Sequence, residues 1–372
     1  LEVFQKLLTE RKDTGRIYVM NVDHANDHGS FIAEEAPIKQ SNLCCEINLP
    51  TKPLNDINDK EGEISLCTLS AINWGLISDP KEFEKWCDLS VRALDELLDY
   101  QDYPIVAAQR STMNRRPLGV GIINLAYFLA KRGLKYDADA LETVDEYAEA
   151  WSYYLIKASA NLAKERGTCY KNLETKYGHG ILPIDTYKSE VNELVKSKQR
   201  MPWSALRKEL LSHGIRNSTL MALMPAETSA QISNATNGIE PPRSLISVKQ
   251  SKHGVLKQVV PEYRRLKNKY DLLWDQKSPQ GYLKIMAVLQ KYIDQGISVN
   301  TSYNPVHYED EKIPMSEMLQ HLIMFYKYGG KQLYYNNTYD GQGEIDINKD
   351  DAQQSLPTTT FVDDEDCESC KI

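Results

Sequence analysis

The sequence contains no apolar run of the roughly 18 residues that a membrane-spanning helix needs, although 41% of its 372 residues are hydrophobic. A transmembrane helix is therefore not expected. Nor does it carry a charged-then-apolar segment of the signal-peptide kind. Basic residues are in deficit: 44 Lys and Arg stand against 52 Asp and Glu, a net charge of −8. No basic surface recommends direct nucleic-acid binding, and any polyanion has to be bound locally. Phenylalanine is scarce, 6 against 22 tyrosines, an excess that composition alone accounts for. Metal-ligand clusters are thin too. Asp23-His24-Ala25-Asn26-Asp27-His28 sets two histidines four apart beside aspartates, but without a Glu between them on a helical face. It reads as a hydrogen-bonded loop, and no metal site is expected in this chain.

What is present is a chain long enough for one large or two ordinary domains. It carries seven cysteines: Cys44, Cys45, Cys67, Cys87, Cys169, Cys367 and Cys370. In a long chain without a signal peptide a thiol-keeping cytoplasm is expected rather than a disulfide scaffold, and the thiols become candidates for chemistry. Ser41-Asn42-Leu43-Cys44-Cys45-Glu46-Ile47-Asn48-Leu49-Pro50 packs a carboxamide, a thiol and a carboxylate into five residues. As a strand it would point Asn42, Cys44 and Glu46 to one face and Leu43, Cys45 and Ile47 to the other. Taken alone, it could equally be a half-polar strand with a buried cysteine.

The surrounding pattern alternates helix and strand. Residues 1–13 read as a helix with Leu1, Val3, Phe4, Leu7 and Leu8 on one face, ended by Gly15. Residues 16–22 and 63–70 read as strands, the second bringing Cys67 within possible reach of Cys44. Asp79-Pro80 caps a helix whose apolar face is Phe83, Trp86, Leu89, Ala93, Leu94, Leu97 and Leu98. Cys87 and Cys169 lie in helical contexts and read as packing. Residues 136–166, 183–197, 203–213, 260–294 and 314–328 read as helices, and 218–225 and 296–300 as strands. The strand at 218–225 turns into a short helix ending at Gly238. Ala226, Glu227, Thr228 and Ser229 stand at its start, where N–H groups and two hydroxyls suit an anion; ordinary N-capping is the alternative. Residues 331–337 read as a strand in which Tyr334 and Tyr335 face opposite sides unless the backbone bends. From Asp340 onward, ten Asp and Glu stand against two Lys, as in a flexible acidic tail. It ends in Cys367-Glu368-Ser369-Cys370. With no second cysteine pair nearby, this is a redox dithiol rather than a zinc site. Its acidic neighbours should raise the thiol pKa values.

In this combination and order the motifs resemble the catalytic (large) subunit of aerobic, class I ribonucleotide reductase, of the bacterial and tailed-phage type. Asn42-x-Cys44-x-Glu46, Leu49-Pro50-Thr51-Lys52-Pro53-Leu54, Leu66-Cys67-Thr68-Leu69-Ser70, the run Pro225 to Pro242 and Leu333-Tyr334-Tyr335 carry the likeness, which spans essentially the whole chain. The resemblance implies an α/β fold: the C-terminal half of a ten-stranded α/β barrel with helical insertions over 1–339, then a disordered tail over 340–372 carrying the dithiol. It implies reduction of ribonucleoside diphosphates. Cys44 would become the thiyl radical, Glu46 the general base, and Asn42, with Ser41 and Glu46, would hold the ribose. Cys67 would be one of two reducing cysteines, Ala226 to Ser229 the diphosphate-binding turn, and Tyr334 and Tyr335 the radical relay. Cys367 and Cys370 would re-reduce the site and be reduced in turn by thioredoxin or glutaredoxin.

The resemblance also implies what lies elsewhere. The family's large subunit is about twice as long. ATP and deoxynucleotide effectors would bind its N-terminal half, and a di-metal and tyrosyl-radical centre would sit in a separate small (beta) subunit, so no cofactor is expected on this chain. The partner of Cys67 would also come from the N-terminal half, since no cysteine precedes Cys44 here. The chain is accordingly expected to need an N-terminal complement and to be inactive in isolation, whether it is a truncated record or one product of a split gene. Cys45 stands where relatives often carry an aliphatic residue, and the tail spacing of two residues is shorter than in many bacterial relatives. A non-catalytic assembly module or decoy for a host enzyme is the alternative. A glycyl-radical enzyme would need a C-terminal Arg-Val-x-Gly-Tyr type loop, which is absent. A thioredoxin-like oxidoreductase would open a helix with its Cys-x-x-Cys rather than end a tail with it.

Overall fold

The computed structural model describes residues 2–251 and 254–341. Five extended segments lie side by side as a parallel sheet at its centre. Leu1–Asp340 forms one compact unit, and nearly all of the remainder, Cys367 and Cys370 included, lies outside the described residues.

The chain begins with α1 (Glu2–Thr14), stopped by Gly15 at φ +71°. β1 (Val19–Met20) and α2 (Val22–Asp27) follow. The helices α3 (Phe83–Tyr100), α4 (Val106–Arg115), α5 (Leu125–Arg132), α6 (Leu141–Arg166), α7 (Pro183–Thr186), α8 (Trp203–His213), α9 (Glu227–Ile232), α10 (Tyr263–Leu266), α11 (Gln280–Gln290) and α12 (Met315–Lys327) come between and after the strands β2 (Leu69–Asn73), β3 (Gly119–Ile123), β4 (Ile246–Ser251), β5 (Gly254–Val259), β6 (Thr301–Tyr303), β7 (Gln332–Leu333) and β8 (Asn336–Thr338).

β2 pairs in parallel with β3, Leu69 opposite Gly119 through Asn73 opposite Ile123. Beyond β3, Val120 bridges Met221 and Leu223 bridges Ile297, both parallel. β6 then pairs in parallel with β8, and Tyr334 N–H donates to the Val299 carbonyl at 2.7 Å. β1 pairs antiparallel with β7. The sheet is thus built of segments linked through helical crossovers, the arrangement that parallel strands require. β3 is buried at every position and reads Gly-Val-Gly-Ile-Ile. Its glycines admit neighbours: a Cβ on Gly119 would meet the Leu69 side chain at 2.5 Å, and one on Gly121 the Met224 sulfur at 2.7 Å.

A large apolar core joins α3, α5, α6, α8 and α11 to the sheet, with Trp74, Trp151 and Trp203 buried in it. The buried Asp294 carboxylate ties this core to the sheet. It accepts from Leu220 N–H, Met221 N–H and the Tyr177 hydroxyl at 2.8–2.9 Å. Lys331 caps the carbonyls of Ile293 and Gln295 at 3.0 and 2.7 Å. The buried Asp294 carboxylate and Lys331 ammonium thereby both find partners, as burial of charge demands.

Several expectations are corrected. The stretch 23–28 is helix α2, not a loop; His24 stacks on Tyr326 at 4.3 Å and is buried. The strand expected at 63–70 starts at Leu69, because Glu63 instead bridges Lys52 in the preceding loop. In α3 the buried face is Phe83, Cys87, Val91, Leu94 and Leu98, while Trp86, Leu89 and Leu97 are exposed. In α1, Leu8 and Arg11 are buried whereas Val3 and Phe4 are exposed. The expected faces hold in part, with Phe83, Leu94 and Leu98 on α3 and Leu8 on α1 buried; hydrophobicity alone widened both stripes, and the neighbours decide which apolar residues are covered. The helix expected at 183–197 reduces to α7 and a 3-10 turn at Ser189–Glu193, and the one expected at 260–294 divides into α10, a 3-10 turn at Leu273–Asp275 and α11. Cys169 is in a loop, although it is buried as packing, like Cys87. Residues 218–225 and 296–300 join the sheet through single bridges rather than as full strands. α9 ends at Ile232, not Gly238.

Candidate active site

Residues 41–50 form an irregular finger rather than a strand. The cause is the Asn42 side chain. Its Oδ1 accepts from the N–H groups of Glu46 and Ile47 at 3.0 and 3.1 Å, and its carbonyl accepts from Cys45 N–H at 3.1 Å. An Asn that captures the following backbone donors competes directly with a sheet ladder. The chain reverses through Cys45 at φ +66°, a left-handed conformation unusual outside glycine. Ile47 and Leu49 then anchor the finger in a small cluster with Ala25, Phe31, Ala36, Ile38 and Ala222. Gly296 N–H donates to the Glu46 carbonyl at 2.8 Å.

The turn changes which side chains meet. Asn42 and Glu46 are neighbours by folding back, not by strand alternation: Asn42 Nδ2 donates to Glu46 Oε1 at 2.9 Å. The same Nδ2 lies 3.8 Å from Cys67 Sγ, which brings the second thiol to the finger. Ser41 Oγ donates to the Ile47 carbonyl at 2.8 Å and braces the turn. Of the expected packing face, Cys45 and Ile47 are buried but Leu43 is 56% exposed.

Glu46 is 1% exposed. Burial raises its carboxyl above the ordinary range, opposed by the hydrogen bonds of Asn42, its own N–H and Ser298. Ser298 Oγ lies 3.1 Å from Glu46 Oε2 and 2.5 Å from the Cys44 carbonyl. It holds acid and thiol segments together. Cys45 Sγ lies 3.8 Å from the Leu43 carbonyl, and burial pushes its thiol up to about 11, which makes it a poor nucleophile.

Opposite the finger, the tyrosines occupy the gap between β7 and β8. There the backbone bends, and the two rings share one side with centroids 4.1 Å apart at 52°. The Tyr334 hydroxyl lies 3.8 Å from Cys44 Sγ. Burial first, then hydrogen bonding to Tyr335, raises the Tyr334 pKa. Tyr18 packs on both rings, at 4.8 and 5.5 Å.

Ala226 begins α9 at the end of the 220–224 segment, but no side chain caps this helix. Ordinary capping is therefore not what Thr228 and Ser229 do; with Glu227 they are exposed while Ala226 is buried. Among the described residues no group of His, Cys, Asp and Glu is arranged to hold a metal. No described helix is long and apolar enough to cross a membrane.

Reasoning from the sequence missed Ser298, Tyr18 and Arg11. Ser298 was within an expected strand, but nothing local marked it. Tyr18 stood out only as one of 22 tyrosines. Arg11 is not among the apolar residues that mark a face in residues 1–13.

The family described as "Ribonucleotide reductase, barrel domain" matches residues 1–336. The chain is 56% identical over 353 residues to the ribonucleoside-diphosphate reductase subunit alpha of Haemophilus influenzae, covering 95% of this chain and 47% of that protein. It is 53% identical over 375 residues to the ribonucleoside-diphosphate reductase 1 subunit alpha of Escherichia coli, covering all of this chain and 48% of that protein. Against the subunit alpha of Enterobacteria phage T4 the identity is 43% over 378 residues, with the same coverage. The chain spans about half the length of the curated relatives it matches.

Proposed function

The chain belongs to the ribonucleotide reductase barrel family, and from that premise we propose that it supplies the radical-bearing part of a ribonucleoside-diphosphate reductase active site. The observation that carries this reading is the contact of the Tyr334 hydroxyl, backed by the Tyr335 ring, with the sulfur of Cys44 at 3.8 Å. A thiol next to a pair of tyrosine rings in close contact is an arrangement for moving a hydrogen atom.

In this reading a radical arrives at Tyr335 from a separate small subunit and passes to Tyr334. The Tyr334 phenoxyl takes the hydrogen atom of the Cys44 thiol, restoring its own O–H and leaving a thiyl. The thiyl takes the 3′ hydrogen of the ribose. Glu46 accepts the 3′-hydroxyl proton while the 2′-hydroxyl leaves as water. Asn42 and Ser41 hold the ribose hydroxyls, and Ala226 to Ser229 take the diphosphate. Cys67 and a cysteine from an N-terminal polypeptide supply two protons and two electrons and close a disulfide. Cys44 then returns its hydrogen to C3′. The balance is one ribonucleoside diphosphate and two thiols giving one deoxyribonucleoside diphosphate, one disulfide and water. Cys367 and Cys370 reopen that disulfide by exchange, with thioredoxin or glutaredoxin as the external reductant.

Burial of Glu46 fits this role. A base that must accept a proton near neutrality works best with its pKa lifted toward the working pH. Hydrogen bonds from Asn42 and Ser298 limit the lift so that the carboxylate still forms.

The test is CDP reduction. The chain alone is expected to make no deoxynucleotide. Mixed with an N-terminal half of a large subunit, a small subunit and a reductant, it is expected to turn over. CDP reduction by the chain alone would overturn the requirement for partners. A reassembled complex that binds all components yet never reduces CDP would favour the non-catalytic module.

A further inference from the structure

Arg11 has no role in the reading above, and its position is unusual. It is 2% exposed, and none of its hydrogen bonds among the described residues goes to a carboxylate. Burial pushes its pKa down to about 10, which still leaves it charged. A buried cation without an anion is costly unless its donors are all used. Its donors are spent on one place. Nη1 donates to the Tyr334 carbonyl at 2.7 Å and to the Ile17 carbonyl at 2.5 Å. Nη2 donates to the Tyr335 carbonyl at 3.0 Å and to Thr301 Oγ1 at 3.2 Å.

These acceptors explain the bend between β7 and β8. In a continuous strand consecutive side chains face opposite sides, and two adjacent tyrosines could not stack. A strand also directs each carbonyl to a neighbouring N–H. Here the Tyr334 carbonyl turns to the guanidinium, and the Tyr335 carbonyl accepts from both Arg11 and Thr301 N–H, the latter at 2.9 Å. Tyr335 N–H is taken by the Asn300 side chain at 3.0 Å. A planar fork with donors on both branches can hold two successive carbonyls in one plane, which a point charge cannot. With that backbone pinned, the rings lie 4.1 Å apart and Tyr334 reaches Cys44.

We propose that Arg11 is the positioning residue of the tyrosine relay: through the carbonyls of Tyr334 and Tyr335 it holds the backbone between β7 and β8 so that the two rings lie together and Tyr334 is aimed at Cys44. It acts through the tyrosines and touches no substrate. This inference rests on the relay reading above.

The test uses the enzyme reassembled from this chain, an N-terminal half and a small subunit. Arg11→Lys keeps the charge and loses the fork. Expected are a fall of at least tenfold in kcat, a KM for CDP within twofold of the parent, and unchanged small-subunit affinity. A merely structural role would lower the yield of folded chain or its Tm but leave kcat per folded chain intact, so kcat within twofold of the parent overturns the proposal. If Arg11→Lys is not recovered folded, Thr301→Val replaces one acceptor by an isosteric methyl. A two- to fivefold fall in kcat at constant KM is then expected, and an unchanged kcat overturns the proposal. Tyr334→Phe is run in parallel. If it retains turnover, the relay reading itself fails; if it is dead while the Arg11 and Thr301 variants match the parent, only this inference fails.

Discussion

The finger at 41–50 and the bend at Tyr334–Tyr335 meet across 3.8 Å, from sulfur to hydroxyl, yet forces of different reach shape them. The finger is shaped from within. Asn42 uses its own amide to gather the backbone donors of residues four and five positions on. The bend is shaped from outside, by a guanidinium 323 residues away in sequence. A local device survives in any context that lets the turn form. A remote one exists only once α1 has docked. The site therefore joins a part that organises itself to a part that the rest of the fold must organise.

Substitutions can break or sharpen this contrast. Cys44→Ser carries the largest effect. Serine is nearly isosteric, and the finger keeps every hydrogen bond described here, but an O–H is far harder to convert to a radical than an S–H. CDP reduction by the reassembled enzyme is expected to fall below detection with Tm unchanged; measurable turnover would detach the finger from the chemistry. Glu46→Gln comes next. It preserves shape and removes the base, with an expected loss on the order of 10²–10⁴ in kcat. Loss of CDP binding instead of turnover would make Glu46 a ligand rather than a base.

Asn42→Ala should strike both halves of the contrast at once. It removes the acceptor of two backbone N–H groups and a donor to Glu46, with an expected stability cost of about 1–3 kcal/mol in denaturant melts. The finger should lose its turn while the tyrosine stack stays, because Arg11 is untouched. A variant with parental stability would show that the finger is not self-organised.

The smallest effect is a shift in pH. Ser298→Ala removes a hydrogen bond that favours ionised Glu46. The carboxyl, already raised by burial, should rise further, so the base forms only at higher pH. The acid limb of the kcat profile is expected to move to higher pH. A downward or absent shift would mean that Glu46 does not set that limb.

Much of the site was legible because its residue types are rare together. Asn42, Cys44 and Glu46 within five residues, a following Cys67 and a tyrosine pair announced chemistry before any fold was known. What was misread is instructive. The spacing of 42, 44 and 46 fits a strand face, and the fold brings Asn42 and Glu46 together through a turn instead. The α3 stripe of Trp86, Leu89 and Leu97 is as apolar as the buried one, and only the position of α6 decides which of them is covered. Ser298 carried no signal, because a serine in a strand is common.

By itself the sequence determined the chemical inventory, the helix at 315–327, the cap at Asp79 with its reciprocal Glu82 bond and the closure of α1 at Gly15. These follow from side chains acting within a few residues of themselves. Only the tertiary structure decided that Cys67 stands beside Asn42, that the tyrosine rings meet rather than oppose, and that Arg11 is an interior residue. Those outcomes depend on contacts between segments tens to hundreds of residues apart. Their energies come from burial and from satisfying polar groups already removed from water, and neither is defined until the chain has closed around them.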